Sequence, residues 1–296
     1  MPPASRPYFP LLAVAVVAIA AAGFVYHGAT KYQKDIPLGK EKQLKVTINA
    51  GYGDLYISRG KSSQVLQTSI ESDLQNDLDS YIEYSTRDNV GYLNINTSDD
   101  VRDREGKKGS FHISGFATNT WDMHFTDAAP ISYDIELGLG KADLDFTGLD
   151  VKDLNLSSGA SSVEIRFDSP NNSVIEEMNI ESGLSKFRAE GLCNANFNNF
   201  RFQGGVGSYS LDFGGKLERE ADVDIEVGLG SLTVIIPSGI GAKIEYEKSL
   251  INHISLAGDF SEEEAHTYTS ENYYDARGKL NMRIQAGLGS VRIKRR

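Results

Sequence analysis

The residue types that could carry chemistry are few in this chain and widely spaced. Asp143 and Asp145 lie two apart in a run of alternating apolar and polar residues. Both carboxylates therefore project from one side of a strand, as the acid pair of a glycoside-cleaving site would. The same run puts Ala142, Leu144 and Phe146 on the opposite side, so a solvated outer face is the simpler reading. Five histidines occur, His27, His112, His124, His253 and His266, with no two at helical i, i+4 spacing and no H-E-x-x-H. His112 and His124 flank Trp121 and, with Asp122 or Asp127, make the one combination that resembles a metal-ligand set; ordinary edge histidines explain it more simply. Glu262, Glu263 and Glu264 form an acidic run, read as a loop, without the spacing of an EF-hand calcium loop. Cys193 is the single cysteine, which excludes an intramolecular disulfide, a multi-cysteine zinc site and an iron–sulfur centre. Its simplest role is that of a small core or corner residue. G-x-G pairs recur, but they lack the third glycine and the following helix of a dinucleotide fingerprint. No constellation supports catalysis, so the chain is expected not to be an enzyme and to use no metal or cofactor.

Charge narrows the partners. Among 296 residues, Lys and Arg total 30 against 41 Asp and Glu, a net charge of -11. Arg6 is the only charged side chain of the first 26 residues, so the remainder carries 29 against 41, or -12. Such a body repels phosphate backbones, and nucleic-acid binding is excluded as its expected role. A folded chain of this size buries roughly 75% of the surface its unfolded form exposes, and recurrent β-branched and aromatic runs can supply that core.

The elements that position these residues follow from a repeat. Seven segments fit one template of two alternating apolar residues, a glycine three positions later, and two more alternating apolar residues. They span 46–57, 133–144, 154–165, 178–189, 200–211, 223–234 and 282–293, with key glycines Gly51, Gly138, Gly159, Gly183, Gly205, Gly228 and Gly287. From Gly138 to Gly228 the spacings are 21, 24, 22 and 23 residues, whereas 87 separate the first two repeats and 59 the last two. In every repeat the last apolar residue before the glycine and the first after it are seven apart: Ile48/Leu55, Ile135/Ala142, Leu156/Val163, Ile180/Phe187, Phe202/Tyr209, Ile225/Leu232 and Ile284/Val291. Strand side chains alternate with period two, so an odd offset would expose one arm's apolar face if the strand ran straight. The chain must turn at each glycine, a residue that reaches positive φ without steric cost. Stacked units of this kind share one core that none can bury alone. The expected fold is all-β: a right-handed, β-helix-like solenoid of short strands with glycine corners, preceded by one amino-terminal hydrophobic helix. Additional strands are expected at 80–86 and 91–97, and a short turn over Ser72–Leu78.

Tyr8 to Tyr26 is 19 residues without a charge. As a helix it would be about 28 Å long, close to the roughly 30 Å of a bilayer core. It reads as a retained anchor or as a cleaved signal peptide with Ala20, Ala21 and Ala22 before the cut. The resulting organisation is an anchor or leader at 1–26, a juxtamembrane linker at 27–43, and a β-solenoid domain at 44–296 with inserted strands and loops at 59–130 and 250–280. Lys31, Lys34, Lys40, Lys42 and Lys45 follow the span and would by themselves hold the body inside the cell.

The runs at 121–149 (WDMHFTDAAPISYDIELGLGKADLDFTGL), 225–245 (IEVGLGSLTVIIPSGIGAKIE) and 284–294 (IQAGLGSVRIK) resemble the bacterial toastrack family, including the carboxy-terminal domain of LiaF-like proteins. The resemblance extends from about Leu44 to Lys294. It implies a β-helix-like domain attached to a membrane segment, usually extracytoplasmic, that senses or scaffolds in an envelope-stress response through a protein partner. On that implication the body lies outside, or is secreted or periplasmic if the segment is cleaved.

Two surface features are candidate contacts. Asp99 to Lys108 carries eight charges of mixed sign in ten residues and reads as a solvated loop or a partner contact. His266, Tyr268, Tyr273 and Tyr274 lie together near the end of the repeats. They either cap the open end of the stack or offer rings to a glycan or a protein partner, an adhesin-like role. Homo-oligomers are compatible with solenoid ends, and the closing Lys294, Arg295 and Arg296 are expected either to discourage end-to-end growth or to meet an acidic face of a neighbour.

Overall fold

The computed structural model describes residues 30–72, 81–96, 119–247 and 252–296. The amino-terminal apolar segment, His27, His112 and the charged run 99–108 lie outside these residues, as does the turn expected over 72–78 except for Ser72, which ends a strand. In chain order the strands are β1 Thr30–Pro37, β2 Gln43–Arg59, β3 Gln64–Ser72, β4 Ile82–Arg87, β5 Val90–Asn96, β6 Asn119–Phe125, β7 Ile131–Asp145 and β8 Val151–Arg166. They continue with β9 Ile175–Glu190, β10 Phe197–Asp212, β11 Glu220–Ile236, β12 Gly241–Glu247, β13 Asn252–Ser255, β14 Phe260–Glu264, β15 Thr267–Ser270 and β16 Lys279–Arg295. No α-helix occurs among the described residues; 3-10 geometry occurs at Tyr81 and over Leu192–Ala195.

All sixteen strands form one mixed sheet in the order β1-β3-β6-β2-β7-β8-β9-β10-β11-β16-β12-β15-β14, with β5 on β2, β4 on β5 and β13 on β16. Its centre is a parallel ladder of seven long strands. Along this ladder Ile48, Ile135, Leu156, Ile180, Phe202, Ile225 and Ile284 are register partners, so the sequence repeats sit directly on one another.

Each long strand is two arms rather than one rod. Only residues 146–150 connect β7 to β8, and a five-residue link reaches about 20 Å, far short of the roughly 50 Å of a straight 15-residue strand. The end of one arm must therefore lie beside the start of the next. Burial agrees, because all fourteen members of the pairs seven residues apart are only 0–2% exposed. Both arms face one core, which holds aromatic contacts such as Tyr133–Phe146 and Phe146–Phe167, with ring centroids 5.2 Å and 5.3 Å apart.

The corner glycines act differently from the expectation. Gly138 and its equivalents in the other coils do not have positive φ; the second glycine does at Gly53, Gly140, Gly230 and Gly289, with φ 136° at Gly140 and 135° at Gly230, but not at Gly207. Gly138 is needed because a Cβ there would lie 2.1 Å from the carbonyl oxygen of Gly51 on the neighbouring strand. Where Ser185 replaces the second glycine, buried Ser158, Ser182 and Ser185 satisfy one another through contacts of 3.0 Å and 2.5 Å between hydroxyl oxygens.

The opposite corner is closed by asparagines. Asn171 accepts from the Val151 amide at 2.8 Å and donates to the Val151 carbonyl at 2.6 Å, while Asn194 donates to Phe167 O at 2.8 Å and accepts from Lys216 N at 3.0 Å. These amides satisfy backbone groups that the turning chain removes from the ladder.

Both insertions extend the sheet. Asp88 and Asn89, with φ 53° and 61°, turn β4 into β5, the geometry of a two-residue I′ hairpin. β1, within the segment expected as a linker, is an edge strand antiparallel to β3, with Ile36 buried and Lys31 paired outward to Glu71 at 3.6 Å. Glu262–Glu264 are strand residues of β14, not loop. The closing arginines do not project from the end of the stack. Arg295 bonds Asp259 at 2.7 Å and Ile240 O at 2.8 Å, and Arg296 bonds Asp212 at 2.6 Å.

Gly230→Ala should destabilise the body by about 3 kcal/mol, because it forces a side chain into a glycine-only conformation and against Gly207 O, 1.8 Å from the new Cβ. Gly239→Ala, with nothing within 4 Å, should change stability by less than about 0.5 kcal/mol. Urea unfolding of the two variants measures the contrast.

Candidate functional site

The residues considered for chemistry are held in structural pairs. Arg166, on the coil after Asp143 and Asp145, lies 2.8 Å and 3.9 Å from their carboxylates and 3.1 Å from Glu164. A guanidinium shared among three acids ties adjacent coils together. His124 Nδ1 is 2.7 Å from Ser58 Oγ and its Nε2 is 3.4 Å from Asp122, so the imidazole is fixed at the sheet surface. No group of three or more metal-ligand side chains occurs among the described residues.

The tyrosine group divides. Tyr268 packs against the core from β15, and Tyr273 donates to Asn281 Oδ1 at 2.7 Å with Lys279 Nζ 5.2 Å from its ring centre. These two rings belong to the cap over the last coil. Tyr274 is 67% exposed, edge-on to Tyr273 at 5.3 Å, and donates to Glu263. His266 occupies an exposed turn with φ 64° between β14 and β15. The four are neighbours on one cap, but only Tyr274 and His266 face outward.

The glycine corners build a surface groove. The small residues of the first arms, Ser158, Ser182, Gly204 and Ala286 among them, leave a groove of about 770 Å³ running across the coils. Its rim is one register row in which Glu181, Glu226 and Glu247 alternate with Ser157, Gln203 and Gln285. A second depression of about 510 Å³ on the same face carries Asp134, Glu136, Glu177 and Glu181 with Arg201. The outer face of the first arms is thus an acidic ladder with one side chain per coil in each row. It has carboxylates and amides to offer a cation or a donor-rich partner. The repeat contained this signal, since each row recurs with the coil period.

Cys193 lies in the buried 3-10 turn, and burial, with the nearby Asp212 charge, pushes its thiol up to about 12. Below pH 9 the thiol stays protonated and shielded. A thiol reagent should therefore leave the native protein unlabelled from pH 7 to pH 9 and label one site per chain after denaturation; labelling of the native protein would contradict this burial.

The family model for the N-terminal domain of toast_rack (DUF2154) matches residues 26–188, just over half the chain. This match runs from β1 into β9, so the LiaF-like likeness of 225–245 and 284–294 falls beyond it. Among solved structures, a "putative cell adhesion protein" from Clostridium sporogenes is 20% identical, with TM-score 0.45, over 90% of this chain and 100% of that one. A "putative adhesin" from Bacteroides fragilis is 14% identical, with TM-score 0.36, over 89% and 97% of the two chains. Another from Parabacteroides merdae is 10% identical, with TM-score 0.34, over 89% and 95%. No curated protein matches the chain. The in-register glycine-corner coils and the family match over 26–188 agree: the chain belongs to the toast_rack family.

Proposed function

We propose that the chain is a non-enzymatic scaffold or sensor held at a bacterial envelope. Its amino-terminal apolar segment would be a single membrane helix, and its body an extracytoplasmic platform for a protein partner in an envelope-stress response. The coil is taken as right-handed, on the general rule for parallel crossovers. One observation carries the reading: the acidic groove and its rim repeat in register from coil to coil, which suits an extended partner better than a small substrate. Family membership and the LiaF-like closing repeats support it.

The second reading, an adhesin-like glycan-binding module, is favoured by one detail. The Tyr274 ring stands in solvent on the cap, an arrangement on which a sugar ring could stack.

Three outcomes test these readings. Deleting residues 30–296 while keeping the leading segment should alter the output of an envelope-stress reporter under a wall-active antibiotic; unchanged output overturns the scaffold. The body should be digested by protease in intact spheroplasts, and protection until lysis would place it on the inner side. On a glycan array, Tyr274→Ala should abolish any binding the full chain shows; an array without hits disposes of the adhesin reading.

A further inference from the structure

The bend that hides both arms of each coil leaves one side chain at its apex in water. Leu139, Leu184, Val206, Leu229 and Leu288 are register partners along this line, with Tyr52 and Ala160 completing the row. The five are 45–63% exposed, and they are five of the seven large apolar side chains exposed among the described residues. Six strand spacings of about 4.8 Å make the ridge about 29 Å long. The bend itself does not require apolar residues there, since the apex points at solvent. A continuous exposed apolar line marks a contact surface.

The flanks indicate what covers it. On the first-arm side the row three residues before the apex brings Glu136, Glu181 and Glu226; on the second-arm side the row two after it brings Asp54, Lys141 and Lys186. Both lysines stand in coils that also carry a glutamate on the opposite flank. Lys141 lies over the Tyr56 ring, its register neighbour Asp54 makes no ion pair with it, and Glu136, Glu181 and Lys186 form no ion pair among the described residues. Place a second copy ridge to ridge and in the same direction, related by a twofold along the ridge. Each first-arm flank then meets the other copy's second-arm flank, and Glu136 faces Lys141 while Glu181 faces Lys186. The antiparallel arrangement instead opposes Glu181 to itself, Lys186 to itself and Glu136 to Glu226. An anionic lipid surface would meet the three glutamates and a chain of net charge -11.

We propose that the apolar ridge at the glycine corners joins two copies of this chain in parallel, apex to apex, with Glu136–Lys141 and Glu181–Lys186 contacts across the twofold. The contact stands independently of the scaffold reading above. A strip 29 Å by about 10 Å buries about 600 Å² over both copies, and the flanks must add to it to approach the about 1,200 Å² of the smallest stable interfaces. The dimer is accordingly weak and reversible.

The test uses the full chain in detergent micelles. Under mild oxidation Leu184→Cys should form a disulfide with its own kind, since Cys193 is buried and inert. Mixed Leu139→Cys and Leu229→Cys chains should give only like-with-like products; a 139–229 product overturns the parallel arrangement. In sedimentation velocity Leu184→Ser with Leu229→Ser, all exposed positions, should weaken self-association at least tenfold. Lys186→Glu should weaken it too, and Glu181→Lys in the same chain should restore it. A chain without self-association, or one whose self-association ignores these substitutions, overturns the proposal. So does a polarity-sensitive dye on Leu184→Cys that moves to an apolar environment in phosphatidylglycerol vesicles at chain densities too low for association, which would assign the ridge to lipid.

Discussion

At most of the glycine corners two backbones pass so closely that no side chain fits between them. A Cβ on Gly138 would lie 2.1 Å from Gly51 O, and one on Gly287 2.2 Å from Gly228 O. Everything else follows from that approach. Because each strand can double back there, its two arms share one core, and because the coils are parallel and in register, the same crowding recurs on most neighbours. The corner also sets the parity of the sequence. An offset of seven between inward residues is only compatible with burial of both arms if one residue is turned out at the bend.

The stack then has to end, and its ends are strand edges that would pair with any free strand. On the amino-terminal side β1 carries Lys31, Lys34 and Pro37, and on the other side β14 carries Glu262, Glu263 and Glu264. Charges and a proline make both edges poor templates. The last coil is further closed by Arg295, whose side chain is mostly buried between Asp259 and Ile240 O with the Phe260 ring 5.6 Å away. A basic tail that looks solvated in sequence is thus a clamp, because the cap folds back over the strand that carries it.

The period, the seven long strands and the fourteen buried pair members were legible because parity is an arithmetic property of the chain. What escaped was governed by contacts the arithmetic does not contain. β1 looked like a linker because it is an edge strand with Lys31, Gln33 and Asp35 on its wet face and a lysine, Lys34, even on the face of Ile36, where its Nζ reaches Ile82 O. β14 lacks alternation for the same reason, four of its five residues being exposed. The first corner glycines were assigned a left-handed conformation, yet they serve close approach; a glycine meets either demand, and sequence does not separate them. Nothing in the repeat singles out Asn171, yet its amide is spent on the backbone of two neighbouring coils. As for the candidate site, the residue types were visible and their grouping was not. Tyr268 and Tyr273 turn into the cap while Tyr274 turns away, a difference decided by which strand each abuts.

The same constraint limits how such a surface recognises anything. Inward positions are committed to the core and bend positions to backbone contact, so only outward rows are free to vary. Each row supplies one side chain per coil at about 4.8 Å spacing. On the first arms these rows carry mainly acids and amides, such as Asp134, Glu136, Glu181 and Gln203; on the second arms they carry Lys186 and Arg188 beside hydroxyls such as Ser208, Ser210 and Thr233. A compact ligand would touch two or three rungs and find nothing converging on it, because neighbouring rungs point the same way. An extended partner gains with each further rung it meets, so affinity accumulates along the stack and one substitution removes only a fraction of it. Recognition by this fold is therefore a matter of length and register more than of a single pocket.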